Sequence, residues 1–363
     1  MKSVVGIGKH SDIQKAVEEA TRQIVNPELI ILMTTYAKLK EASQLIHEKY
    51  PDVQSIGTSG ITYSDGQVYE AEIVVIAFSE GIRVVTGVIT NLSEAPIQHV
   101  KKLQENSDKI EPGTDNTVCI EFCTGDEEKL VTTLNAGFHK YSIGLIGGTV
   151  FGYPNGERAE VSCNGKVYED ACAYVLIKNV TAKIKVYKEN IYGKHSDNAH
   201  IATKVNLKKK ELIELDYKPA TEVYSKELDI PRDKILQSVL TNPMGRVVRD
   251  QVFISSMHTI GADGSLLNYK KINENDTIYF LQLLDYTKIT KQTIEAIRKD
   301  FSRISFVFSV DCIYRHMLYQ DKKYLDTYLA EMRRMGNHAG IVGGGEQFNN
   351  QHVNQTMVCA VFE

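Results

Sequence analysis

No stretch of this sequence approaches the about 18 unbroken apolar residues that a membrane helix requires. The start, MKSVVGIGKH, also lacks the charged, apolar and small-residue succession of a signal peptide. Membrane insertion and secretion are therefore not expected, and the expected location is the cytoplasm. A basic excess is missing too. The net charge is -4, and the one basic cluster, Lys208 to Lys210, runs at once into Glu211 and Glu214. That excludes the basic face a nucleic-acid binder needs. Paired metal-ligand motifs are also lacking. Cys119, Cys123, Cys163, Cys172, Cys312 and Cys359 are scattered, several inside apolar runs such as TVCIEFCTG and TMVCAVFE. This pattern suits buried thiols in a reducing compartment. Cys119 and Cys123 have no second pair to complete four zinc ligands, so no metal site is expected.

What is present is a core-forming composition. With 42% hydrophobic residues over 363 positions, the chain is long enough for about two to three domains with buried cores. One unit is written three times. Leu29 to Thr35 reads as a buried strand, Ala37 to Tyr50 as a helix, and Val53 to Ile56 as a second strand ending in Gly57-Thr58-Ser59-Gly60. The pattern returns in Thr117 to Thr124, a helix from Asp126 to Ala136, and Ile143 to Gly148. Its third occurrence runs through Ser305 to Cys312, a helix around Tyr324 to Met335, and Ala339 to Gly345. The turns GLIGG from Gly144 and GIVGG from Gly340 match closely, which indicates internal duplication.

Two pairs of apolar runs read as hairpins: Ile73 to Phe78 with Arg83 to Ile89, and Ala171 to Lys178 with Lys183 to Tyr187. Further on, Ala220 to Leu228 reads as a helix, and Gln251 to Ile260 and Thr277 to Leu284 read as strands. The expected fold is α+β, or mixed α/β, with repeated strand-helix-strand units and antiparallel hairpins in two domains. Residues 1–218 form the first, from two related halves, and 219–363 the second.

The glycine turns lack a GK[ST] ending, and no G-x-G-x-x-G opens a helix after a strand. Gly147 and Gly148 serve a tight turn beside a neighbouring strand, or leave bare backbone against which a ligand can lie. The densest cluster lies in the third unit, where Asp311, Cys312, Tyr314, Arg315 and His316 follow a strand and Glu346 follows three glycines. Asn354 and Thr356 come a few residues later. Arg315 could hold a carboxylate through two hydrogen bonds while Glu346 accepts from an amine; a structural Arg315–Glu346 ion pair is the alternative. Cys312 and His316 resemble a nucleophile and base, but no third orienting group is identifiable and no hydrolase, zincin or kinase motif appears. An enzyme is not expected. His139, His258, His316, His338 and His352 keep a haem ligand open as a second reading.

These residues also carry a resemblance. Ser55-Ile56-Gly57-Thr58-Ser59-Gly60, Asp65-Gly66 and IVVIAF resemble the first half of the FIST N-terminal domain. Ile146-Gly147-Gly148 with Phe151-Gly152, Asn164-Gly165-Lys166-Val167-Tyr168 and ACAYVLI resemble its second half. The FIST C-terminal domain is similar through Asn242-Pro243-Met244-Gly245, Val248-Arg249, Gly261 to Ser265, Cys312-x-x-Arg315, Gly344-Gly345-Glu346 and Asn354-x-Thr356. The resemblance implies an intracellular sensory module that recognises a small ligand such as an amino acid, with Cys312, Arg315, Glu346, Asn354, Thr356, Gly147, Gly148 and Arg249 as the expected binding residues. Some relatives are haem-based nitric oxide sensors, which would make haem the cofactor; otherwise none is expected. With no output domain following the pattern, signalling is expected to pass to a separate protein such as a histidine kinase or chemotaxis component, and a ligand-free interaction scaffold is the third reading. Relatives place a small, glycine-containing stretch between the cysteine and arginine, so Ile313-Tyr314 are expected to narrow the site.

Overall fold

A computed structural model describes residues 1–363. The fold is mixed α+β, and its organising element is the threefold repeat. Strand Leu29–Thr34, helix Tyr36–Lys49 and strand Gln54–Ser59 form the first unit, the two strands running parallel. Thr117–Cys123, helix Glu127–Phe138 and Gly144–Thr149 form the second. The third is Phe306–Cys312, helices Ile313–Asp321 and Leu325–Met335, and Asn337–Gly343. The first strand of each unit is buried along its whole length, which suits strands covered on both faces.

Each first strand also takes an antiparallel partner, respectively Ile73–Ser79, Ala171–Asn179 and Met357–Phe362. Beyond these lie the edge strands Lys2–Gly8, Ile82–Thr90 and Ile184–Glu189. The runs expected to pair as hairpins therefore do not pair with each other. Ile73–Ser79 belongs to the first sheet and Ile82–Thr90 to the second, while Ala171–Asn179 and Ile184–Glu189 are split between the second and third. The tight turn is real, but it hands the chain from one sheet to the next.

Short hairpins are exchanged as well. Thr62–Ser64 with Gln67–Tyr69 follows the first unit and pairs with Asn337–Gly343 of the third. Val161–Cys163 with Lys166–Tyr168 follows the second and pairs with Gln54–Ser59 of the first. Glu346–Phe348 with Gln351–Val353 follows the third and pairs with Gly144–Thr149 of the second. The inner faces of all three sheets meet in one core that includes Ile31, Ile76, Ile120, Val175, Phe308 and Val358. The helices pack on the outer faces.

Between the edge strand Ile184–Glu189 and helix Tyr286–Asp300 lies an inserted sheet of nine strands, Tyr192 to Leu283, with helix Ala220–Leu228 and its own core around Leu212, Tyr224 and Phe280. The division expected at 218/219 falls inside this sheet, where Lys218–Pro219 pairs with Glu211–Leu215. Three of the four sheets combine strands from both sides of that position. Pro219 there leads directly into helix Ala220–Leu228.

Close backbone approach fixes the first helix on the first sheet. A Cβ added at Gly6 would stand 1.7 Å from the Ala20 carbonyl oxygen, and one at Gly8 would stand 1.9 Å from that of Ala16. Helix Ile13–Ala20, capped by Asp12 accepting from Lys15 N at 2.9 Å, rests directly on the strand backbone. Gly6→Ala is predicted to cost about 1–3 kcal/mol by overpacking, read as a lowered Tm; an unchanged Tm would contradict this packing.

Candidate functional site

The segment Glu346 to Thr356 lies where the third unit, the second sheet and the inserted sheet meet. The Gly343-Gly344-Gly345 turn delivers Glu346 to the second sheet opposite Gly148. Gly344 N donates to Thr149 O at 2.9 Å, and Thr149 N donates to Gly345 O at 3.0 Å, so the turn lies backbone to backbone. Gly345 leaves room for His352 Nε2, which would lie 2.7 Å from a Cβ placed there.

Glu346 is fully buried. Its Oε2 accepts from Thr356 N at 3.1 Å and from Thr356 Oγ1 at 2.6 Å. Cys312 N donates to Thr356 O at 3.1 Å, and its thiol sits beside the Glu346 carboxyl. Burial pushes Glu346 up to about 8 and lifts the Cys312 thiol, helped by Glu346. At neutral pH both groups are protonated. Asn354 Nδ2 donates to His352 Nε2 at 3.4 Å. On the other face of the same strands, Gly147 makes room for a second buried carboxyl: a Cβ there would fall 2.0 Å from Glu121 Oε1. Burial pushes Glu121 up to about 8 as well, and its Oε2 accepts from the Cys172 thiol at 3.4 Å.

Cys312, Glu346, Thr356 and Gly148 are thus brought together, with Asn354 in the same segment, whereas Gly147 on the adjoining strand faces Glu121 on the other side. Arg315 and Arg249 are not. Arg315 begins the helix after Cys312 and is fully buried against Glu189, with its Nε 3.4 Å from Asp311 and its guanidinium over the rings of Tyr319 and Tyr328 at 4.7 Å and 5.3 Å. Burial pushes Asp311 up to about 6, opposed by Arg315. Neither the expected Arg315–Glu346 contact nor a solvent-reachable hollow between them exists. The helix turns Arg315 onto the outer face of the strand, whereas Glu346 enters from the neighbouring sheet. Arg249 is exposed on the turn between Met244–Val248 and Gln251–Ser255, with φ 56.

The inserted sheet supplies groups that the sequence reading missed. Lys270, nearly buried, donates from Nζ to His352 O at 2.6 Å, and burial pushes it down to about 8. Lys210 Nζ lies 3.1 Å from Glu127 and 3.9 Å from Glu128. Gln355 Nε2 donates to Val239 O at 3.0 Å. Glu127, Glu128 and His352 bring metal-type donor atoms within 4.8 Å of one another, but the Lys210 ammonium already serves both carboxylates. The sequence signal for this junction was faint: an acidic pair at a helix start and lysines in a basic run.

The histidines named as possible haem ligands are held apart by local partners. His316 Nδ1 is 2.6 Å from the Tyr63 hydroxyl, His338 Nε2 is 2.9 Å from Ser309 Oγ, and His139 Nδ1 is 2.9 Å from Ala136 O. His258 packs at a tilt against Tyr269, with ring centroids 4.6 Å apart. Two larger clefts, of about 930 Å³ and 620 Å³, are lined mainly by polar and charged side chains. Cys312 and His316 do not pair either, since His316 is turned to Tyr63.

Comparison with protein families finds the FIST N domain over residues 28–218 and the FIST C domain over 220–349. The chain belongs to the FIST family. FIST domains are sensory domains of signal-transduction proteins. No curated protein matches the chain. Among solved structures, a chorismatase crystal structure at 1.08 Å resolution aligns over 99% of this chain and 98% of its own, at 8% identity and a TM-score of 0.35. PurLQS from Thermotoga maritima aligns over 99% and 72%, at 11% identity and a TM-score of 0.22. At these scores neither likeness carries an argument. No helix of this FIST chain is long and apolar enough to cross a membrane.

The raised carboxyls give a signed pH dependence. Folding takes up protons at Glu346 and Glu121, whose ordinary value is 4.5, so their contribution to stability is largest below that value and declines as pH rises to about 8. Glu346→Gln removes one of these, leaving Glu121 and the raised Asp311. Between pH 5 and 8.5 the variant's Tm is expected to fall less far than that of the unaltered protein; an identical decline would contradict the burial of a charge-sensitive group at 346.

Proposed function

We propose that this FIST protein is a cytoplasmic sensor that binds a small polar ligand, of amino-acid type, at the Glu346–Thr356 segment and signals through a separate protein such as a histidine kinase or chemotaxis component. The observation that carries the reading is an accumulation of buried polar atoms without partners: Glu346 Oε1, Gln347 Oε1, His352 Nδ1, Asn354 Oδ1 and Gln355 Oε1. Folded proteins leave few such atoms, and each one calls for a partner. Glu346, protonated, and His352, whose Nε2 accepts from Asn354, present donors at these atoms, whereas the amide oxygens of Gln347, Asn354 and Gln355 are three acceptors. An ammonium group supplies three donors and no acceptor, which matches the three amide oxygens.

Binding without turnover is part of the same proposal. A protonated Glu346 and a protonated Cys312 suit hydrogen bonding to a ligand and not nucleophilic attack. A cytoplasmic setting is supported by six free, buried cysteines. Signal transfer would use the inserted sheet, because Lys210, Lys270 and the Val239 carbonyl reach across to the same junction. A ligand that bonds better with those contacts in one arrangement would shift the insert's position.

The test is a thermal-shift screen with the twenty amino acids as probes. At least one is expected to raise the Tm with saturating concentration dependence, and Asn354→Ala is expected to need about tenfold more of it for the same shift, since one hydrogen bond is worth about 1 kcal/mol or more. If no amino acid shifts the unaltered protein, or Asn354→Ala responds equally, the reading fails.

A further inference from the structure

The three sheets close into a ring in which each edge strand faces the neighbouring unit, and the three seams are not alike. At the second sheet's edge, Thr86 N donates to Gln54 Oε1 at 3.3 Å, and Asn164 Nδ2 donates to Thr86 Oγ1 at 3.1 Å, both partners belonging to the first sheet. At the third sheet's edge, Ile184 N donates to Asp115 O at 2.8 Å, and Gly144 sits so close to Val186 that an added Cβ would come within 3.0 Å. The first sheet's edge, Lys2–Gly8, receives no such cover. A cleft of about 930 Å³ separates it from Ser305, Asn337 and His338 of the third unit.

The bare edge carries unpaired backbone donors and acceptors over seven residues, a length that accommodates one ordinary strand. An uncovered edge of this kind is a template for pairing with another chain. The cleft's charge states which chain. Lys2, Arg303 and Arg333 line it; Lys2 pairs with Glu80 at 2.7 Å and Arg333 with Asp65 at 2.8 Å. Arg303 is exposed and has no ion-pair partner. The same positive charge opposes a second copy of this edge and favours an acidic strand.

We propose that the open seam along Lys2–Gly8 is a docking groove for an extended acidic segment of a partner protein, which adds to the first sheet as a further strand. Main-chain hydrogen bonds supply the affinity, and Arg303 supplies the preference for acidic side chains. This inference stands apart from the small-ligand reading, since it rests on a different face and its failure leaves the Glu346–Thr356 segment untouched.

The probe is a fluorescein-labelled decapeptide of alternating valine and glutamate, followed by anisotropy and by amide hydrogen exchange of residues 2–8. Saturable binding is expected, with slowed exchange at Ser3 to Ile7, an affinity about tenfold lower for Arg303→Glu, and loss of binding when alternate peptide nitrogens are methylated. Absence of saturable binding overturns the proposal. So does binding that survives N-methylation, which would mark a purely electrostatic contact. Protection of residues 2–8 by self-association, seen in sedimentation without peptide, would assign the edge to a second copy and overturn it as well.

Discussion

Strand exchange among the three units is the constraint on which the rest of the structure depends. Each parallel pair is completed on one side by a hairpin from the next unit of the ring, and on the other by a return strand that, in the first and second sheets, continues into the edge strand of the next sheet. No unit can bury its inner face alone, because that face is covered by the other two sheets in a common core. An edge left open would expose backbone groups whose pairing is otherwise obligatory. The arrangement resembles a trimer drawn within a single chain, with the inserted sheet attached to one of its three members.

The same exchange creates the polar junction. Glu346 is carried into the second sheet only because its hairpin leaves the third, and it arrives opposite a glycine, so that a carboxyl is buried where two apolar sheets meet. Such burial is unfavourable unless the group is neutral or well paired. Here it is met in part by Thr356 and in part by protonation. Arg315 shows the other solution. It is charged, wholly buried and ringed by Glu189, Asp311, Tyr319 and Tyr328. Removing one partner from such a cluster leaves an uncompensated charge, which explains why this arginine reads as structural and not as a ligand clamp.

The repeated unit was legible in the sequence because its signals are local: buried strands of continuous apolar residues, a helix, and a glycine turn, each in near-correct bounds. The strand partners were not. Ser79-Glu80-Gly81 is a tight turn by composition, and nothing within a few residues tells whether the strands it joins pair together or part into different sheets. The helix Ile313–Asp321 was also missed, since CIYRHMLYQD has weak amphipathic spacing and a buried arginine and histidine on the core side. That one element turned Arg315 away from Glu346. Cys312, Glu346 and Thr356 were found because they flank the glycine turn and the last strand. Glu127, Lys210, Lys270 and His352 lie far apart in sequence and are joined only by the hairpin exchange and by the insert.

The central claim is that the three units share one cooperative core. The most direct measurement is calorimetry of the whole chain beside a fragment of residues 1–218. The full chain is expected to give a single transition for the threefold core, with any separate event confined to the inserted sheet, and the fragment, lacking the third sheet's central strands Phe306–Cys312, Asn337–Gly343 and Met357–Phe362, is expected to show no cooperative transition. A fragment that melts cooperatively, with a heat comparable to its share of the chain, would contradict the account.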